Sequence, residues 1–304
     1  MTEILSANAL DTINSEFNFT VDKLPLFGPD YMKTDQYGFF RSDTGFLDGV
    51  KSVSSKYVPH TTDDVKALCE AGASAFDCDV ELKCHFRDGH YVSIAPTDGY
   101  RRSIYKGKDN IWPRFMVSGG FDGKGFKAIL GYYRDACLNL SWMRKVSGCS
   151  VSIRHTSGLR GEMDSLIDQF NLLKEGWATM DDVISQMESR QVDMTEFLNS
   201  VYGVPSEEEL HRALVLKEKV RSVTIHTDRT KAIFNRLWNE RQKTGRDLSK
   251  GVQTVSAWEA YNAVQGYTQH DAVRHSQFNN DFDRILKAGN SKEVLKAEEL
   301  ALSA

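Results

Sequence analysis

The spacing of apolar residues changes once along this chain, and that change limits the folds open to it. Cys78, Val80, Leu82, Cys84 and Phe86 alternate with Asp79, Glu81, Lys83 and His85, the period of a strand with one buried face. Asp88-Gly89 supplies a tight turn, and His90 to Ile94 returns as the partner strand. A second hairpin is predicted with Arg114 to Ser118 outbound, Gly119 to Gly125 turning and Phe126 to Tyr133 returning, and Ser150 to Gly158 begins as a last strand. From Glu162 the period becomes helical, with Met163, Leu166, Ile167, Phe170 and Leu173 on one stripe. Strands first and helices second imply an α+β fold, an antiparallel hairpin-rich part with a packed helix followed by a mostly helical part.

Local punctuation refines this outline. Residues 1–48 read as an arm of short elements broken at Pro25, Gly28, Pro29, Gly38 and Gly45. Lys51 to Val58 reads as a strand, and Thr61 or Thr62 followed by Asp63 and Asp64 reads as a helix start. Further helices are expected at Thr179, at Thr195, at Ser206 with Glu209 completing a capping box, around Ile233 and Leu237, and at Ser256; a charged helix closes the chain. Residues 49–160 then form a β-rich basic core domain and 161–304 a helical domain, with Gly245 to Thr254 as a polar linker.

Charge is the second constraint. Within residues 101–160, Arg101, Arg102, Lys106, Lys108, Arg114, Lys124, Lys127, Arg134, Arg144, Lys145, Arg154 and Arg160 face only Asp109, Asp122 and Asp135, which leaves 26 basic against 39 acidic residues elsewhere. Tyr105, Trp112, Phe115, Phe121, Phe126, Tyr132, Tyr133 and Trp142 are interleaved with those cations. Cations that track phosphates and rings that stack on bases are the means of single-strand binding. Each ring taken singly is better explained as core, so the collective bias carries the expectation. Arg154 and His155 end a strand, and Thr156 to Gly161 opens a helix with Arg160 in its first turn. Free N–H groups and a helix dipole there would hold a phosphate; an N-cap and a structural ion pair explain the same residues equally well.

Other chemistry is weaker. Ser118 to Gly125 imitates a phosphate loop but has Ser118 in place of the first glycine and Gly125 in place of the Mg²⁺-binding hydroxyl, and it leads into a strand. Asp79, Glu81 and Lys83 share a strand face in the form used by Mg²⁺-dependent nucleases, although a solvated edge explains them better. Cys78, Cys84, His85 and His90 lack zinc spacing. Trp258, Tyr261, Gln265 and Thr268 form a stripe that reads as packing. The five cysteines, Cys69, Cys78, Cys84, Cys137 and Cys149, lack the spacing of a disulfide framework. The first nineteen residues carry neither the basic nor the apolar part of a leader, and no apolar run reaches the ~20 residues of a membrane span. A cytoplasmic protein without a cofactor and without a membrane partner is expected.

Three stretches, Arg134 to Leu140, Ser152 to Thr156 and Ala257 to His270, together resemble a phage/plasmid-like family of unknown function, found in phages, prophages and conjugative plasmids. The resemblance spans about residues 50 to 290. It departs at Ser141-Trp142-Met143, where smaller residues are expected, and the arm before residue 48 has no counterpart. It implies a mobile-element setting inside a host cell and brings no enzymatic activity with it. The expectation is a non-enzymatic nucleic-acid-binding protein that takes single strands as a homo-oligomer, with the twelve cations above and His155 as its contacts. A Mg²⁺-dependent nuclease and a host-defence-blocking interaction protein are the alternatives.

Overall fold

A computed structural model describes residues 18–47, 52–76, 80–86, 90–96, 100–119, 121, 126–134, 140–142, 150–153, 182–249, 251–272 and 291–303, with 11–12, 14–15, 175 and 179–180. The fold is α+β, with antiparallel strands in the N-terminal half and mostly helices after them. It divides into two compact units. Unit 1 comprises residues 1–101, 112–131 and 146–178, and unit 2 comprises 102–111, 132–145 and 179–304. The basic window is therefore shared between the units.

In unit 1 the expected arm is a sheet. Strand β1 (Val21–Phe27) pairs antiparallel with β2 (Lys33–Arg41), and β3 (Gly45–Phe46) and β4 (Val53–Ser54) also pair with β2. The predicted strand over Lys51 to Val58 is only β4, because residues 55–56 turn away after two pairs, Gln36↔Ser54 and Tyr37↔Val53. Phe39, Val53, Tyr57 and Phe121 form one buried cluster of this unit, and the Phe39 ring lies 5.4 Å from both Tyr57 and Phe121.

Helix α1 (Thr62–Phe76) starts as predicted. The Asp64 N–H donates to Thr61 Oγ1 and the Thr61 N–H to the Asp64 carboxylate, reciprocal bonds that occupy N–H groups the first turn leaves free. Its Val65, Leu68, Cys69 and Phe76 are buried, and Phe76 stacks on Phe115 at 4.4 Å. The first predicted hairpin is present, with β5 (Val80–Phe86) on β6 (His90–Pro96) from Val80↔Pro96 to Phe86↔His90.

The second hairpin is longer than predicted, with β8 running Asp109–Gly119 and β9 Phe126–Arg134; both strands pass from one unit into the other. Their sheet has the order β10 (Leu140–Trp142), β9, β8, β6, β5, with β11 (Ser150–Ile153) on β9 and β7 (Arg102–Ile104) on β8. The phosphate-loop imitation thus joins two strands, as its sequence indicated.

Unit 2 is mainly helical. A helical stretch over 182–189 leads to β12 (Gln191–Asp193), which pairs with β13 (Thr254–Ser256). Between them come α2 (Met194–Tyr202), α3 (Glu207–Leu214) and α4 (Arg221–Lys243). Helix α2 is capped by Asp193 rather than beginning at Thr195, and Ser206 and Glu209 form the predicted capping box of α3. Helix α5 (Ala257–Gly266) begins with a second capping box, Ser256 with Glu259, and continues into a π-helical turn, Tyr267–Asp271. All ten residues of α5 are buried, the polar Glu259, Asn262 and Gln265 among them. Trp258, Tyr261 and Gln265 are therefore packing residues. Helix α6 (Lys292–Leu302) closes the chain against α5 and α2.

Candidate functional site: a basic turn anchored on buried charges

The best-defined part of the basic window is the β7–β8 turn in unit 2. The strands pair as Arg102↔Ile111, Ser103↔Asn110 and Ile104↔Asp109, which leaves Tyr105 to Lys108 to reverse the chain. Tyr105, Lys106 and Gly107 all take positive φ, at 51°, 57° and 86°. Left-handed backbone costs a non-glycine residue about 1–2 kcal/mol, so two such residues in a row need an offsetting contact. Tyr105 makes it, its ring 4.3 Å from the Arg246 guanidinium carbon and 5.8 Å from that of Arg134. Burial raises the Tyr105 hydroxyl well above its ordinary pKa, so it stays protonated. With Tyr105 turned inward, Lys106 and Lys108 are held outward and exposed.

Behind the turn lies a cluster of buried and half-buried ions. Arg134, completely buried, donates to Asp109 Oδ2 through Nη2 at 2.6 Å and through Nε at 3.0 Å, and its Nη2 forms an ion pair with Glu240 Oε1 at 2.6 Å. Arg241 grips Glu259 with two bonds, Nε to Oε1 at 2.7 Å and Nη2 to Oε2 at 2.9 Å, and its Nη1 donates to the Gly251 carbonyl at 2.7 Å. Arg246 bridges Glu259 at 3.2 Å and Glu188 at 3.5 Å. Burial pushes the Glu259 carboxyl up, but the Arg241 hydrogen bonds and the Arg246 charge outweigh it and leave its pKa below the ordinary value. At Glu188 burial wins, and the pKa is raised although Arg246 and the Tyr105 hydroxyl oppose it.

The remaining predicted contacts differ in fate. In unit 1, Arg101 is exposed and its guanidinium carbon lies 5.2 Å from the Trp112 ring, while Arg114 is half-buried. In unit 2, Arg102 is half-buried, and burial lowers its pKa against the pull of Asp182. Arg134 is enclosed between two carboxylates, which removes its charge from the surface. Lys127 sits on β9 opposite Ser152 of β11. Lys124, Arg144, Lys145, Arg154, His155 and Arg160 lie outside the described residues, as does the Met163 to Leu173 stripe. Of the nuclease residues, Glu81 and Lys83 are on β5 opposite Ala95 and Ser93, and Asp79 lies outside the described residues. Among the described residues no three His, Cys, Asp or Glu side chains converge as metal ligands, and no helix is long and apolar enough to cross a membrane.

Sequence reasoning did not single out Glu188, Glu240, Arg241, Arg246 or Glu259 as partners in one cluster. One signal was available: Glu259 is the single charge within Ala257 to Gly266, and a lone charge in a helix otherwise rich in apolar residues needs a partner once it is buried.

The molecule is thus an α+β protein that presents an anchored basic turn over buried ion pairs. It belongs to the family of a domain of unknown function, DUF932, which matches residues 50–289. No curated protein and no solved structure matches the chain.

Proposed function

We propose that this is a nucleic-acid-binding protein of a mobile genetic element, acting as a homo-oligomer on single-stranded DNA during phage annealing, recombination or replication, with no catalysis of its own. The observation that supports binding is the turn: backbone strain and a half-buried tyrosine, its hydroxyl enclosed, hold Lys106 and Lys108 in water, inside a window with twelve cations against three carboxylates. Pre-positioned lysines contact phosphates without reading bases. Arg101 on Trp112 adds a cation beside a ring that is not fully covered, the pairing that stacking on single strands uses. The mobile-element setting rests on the likeness of Arg134 to Leu140, Ser152 to Thr156 and Ala257 to His270 to proteins of phages and plasmids.

The test is binding of labelled single-stranded DNA, duplex DNA and RNA across a salt series, with and without Mg²⁺. Single strands of any sequence are expected to bind most tightly. Lys106→Ala and Lys108→Ala are each expected to lower the slope of log affinity against log salt by about 0.7, the share of one phosphate contact on a single strand. Unchanged slopes in both variants would remove the turn from the interface, and no binding at low salt would end the reading. Strand cleavage in Mg²⁺ that is lost in Glu81→Gln would replace it with a nuclease.

A further inference from the structure

Two exposed apolar features have no part in the nucleic-acid reading. The first is the β1–β2 connection in unit 1. A hydrogen bond from the Gly28 N–H to the Met32 carbonyl (2.7 Å) and one from the Met32 N–H to the Pro29 carbonyl (3.3 Å) close it, and Asp30 and Tyr31 are held at φ 55° and 58°. This strained turn leaves Tyr31 91% exposed, beside Met32 at 70% and Phe27 at 57%. The second is the α3–α4 connection in unit 2, where Leu214, Val215 and Leu216 are consecutive and exposed. That loop is pinned to α3 by bonds from the Leu216 N–H to the His211 carbonyl and from the Glu218 N–H to the Arg212 carbonyl, and Lys217 takes φ 57°. Single exposed apolar residues need no explanation. Contiguous ones on tight, strained turns do.

The local charges of the two features are opposite. The tip carries Asp30 and Asp35 against Lys33, and all three are exposed. The loop is bordered by exposed Lys217, Lys219 and Arg221, and its one acid, Glu218, is engaged by Arg212 at 2.7 Å. An acidic tip disfavours phosphate and anionic lipid. It suits an apolar surface with a basic rim, and the 214–221 loop is such a surface.

We propose that the tip of one copy, Phe27 to Met32, docks on the Leu214 to Leu216 loop of a second copy. Because the two surfaces differ, the contact is heterologous, and each docked pair keeps one free tip and one free loop. Such contacts propagate into a ring or an open chain. The inference rests on the homo-oligomer part of the proposed function and is independent of nucleic-acid binding.

Light scattering of the full chain over a range of concentration tests it, with Tyr31→Asp and Leu216→Asp as variants and circular dichroism as the check on folding. The parent protein is expected to grow in mass with concentration, and each folded variant to remain a monomer. An equimolar mixture of the two is expected to stop at a dimer, since one variant keeps its loop and the other its tip. A parent that is monomeric throughout would overturn both this inference and the homo-oligomer reading. Oligomers that persist in both variants, or a mixture that forms no dimer, would overturn the docking alone. Tip-dependent binding to zwitterionic vesicles by a monomeric parent would also overturn it. Binding to oligonucleotides is a separate measurement and decides the nucleic-acid reading by itself.

Discussion

Arg41 in unit 1 and Arg134 in unit 2 each hold a carboxylate at 2.6 Å, yet they do different work in the fold. Arg41 meets Asp43 two residues along, at the end of β2 in a sheet that packs on Phe39, Val53, Tyr57 and Phe121, and Asp43 remains 42% exposed. Arg134 meets Asp109 and Glu240 where both Arg134 and Asp109 have no exposure at all. Distance is equal, and solvent is the difference. Water screens the first pair and competes for its partners, so its expected worth is about 0–1 kcal/mol. In the second pair the two acids depend on one guanidinium, and removing it leaves two buried carboxylates without their cation.

The largest expected effect follows from that dependence. Arg134→Ala is expected to cost about 3–5 kcal/mol in unfolding free energy, read from urea denaturation. A cost near that of a surface pair would erase the distinction between the units.

An intermediate effect should appear with acid. Glu259 has a folded pKa below its unfolded value of ~4.3, so its ionisation stabilises the fold. That contribution is complete above ~4.3 and is lost as pH falls through the lower folded value. Glu188 has the opposite sign, since its folded pKa is raised; the neutral acid favours folding below ~4.3, and the advantage is lost as pH rises through the folded value. Glu259→Gln is therefore expected to lower stability at neutral pH and to flatten its decline below pH ~4.3. Denaturation repeated at several pH values checks this, and an unchanged acid decline would remove Glu259 from the account.

The smallest effect belongs to unit 1. Arg41→Ala is expected to change stability by no more than about 1 kcal/mol, with the stacking of its guanidinium carbon 3.8 Å over Phe19 as the part that salt does not screen. A loss comparable to that of Arg134→Ala would mean that the exposed pair is coupled to the sheet interior.

Elements set by neighbouring residues were legible in the chain. The capping box at Ser206, the cap at Ser256, the start of α1 and the β5–β6 hairpin depend on partners a few positions away, and the structure has all of them. Elements that need distant partners were not. The arm before residue 48 reads as broken pieces because β1 to β3 alternate weakly, yet pairing on β2 makes them, with β4, a sheet. The cap of α2 is an exception, a local bond that the sequence reading placed at Thr195: the Asp193 side chain accepts from the Glu196 N–H at 2.9 Å.

By itself the sequence determined the order of strands and helices and the presence of a strongly basic window, because period and charge are properties of the chain. It could not determine which charges of that window face water. Lys106 and Arg134 count equally in it, but Lys106 is exposed on a turn while Arg134 is enclosed by an aspartate 25 positions before it and a glutamate from α4. Only the tertiary structure decided that. A cation can leave water only where carboxylates are brought to it from elsewhere in the chain, and the energy that allows it depends on burial and geometry that no local pattern contains.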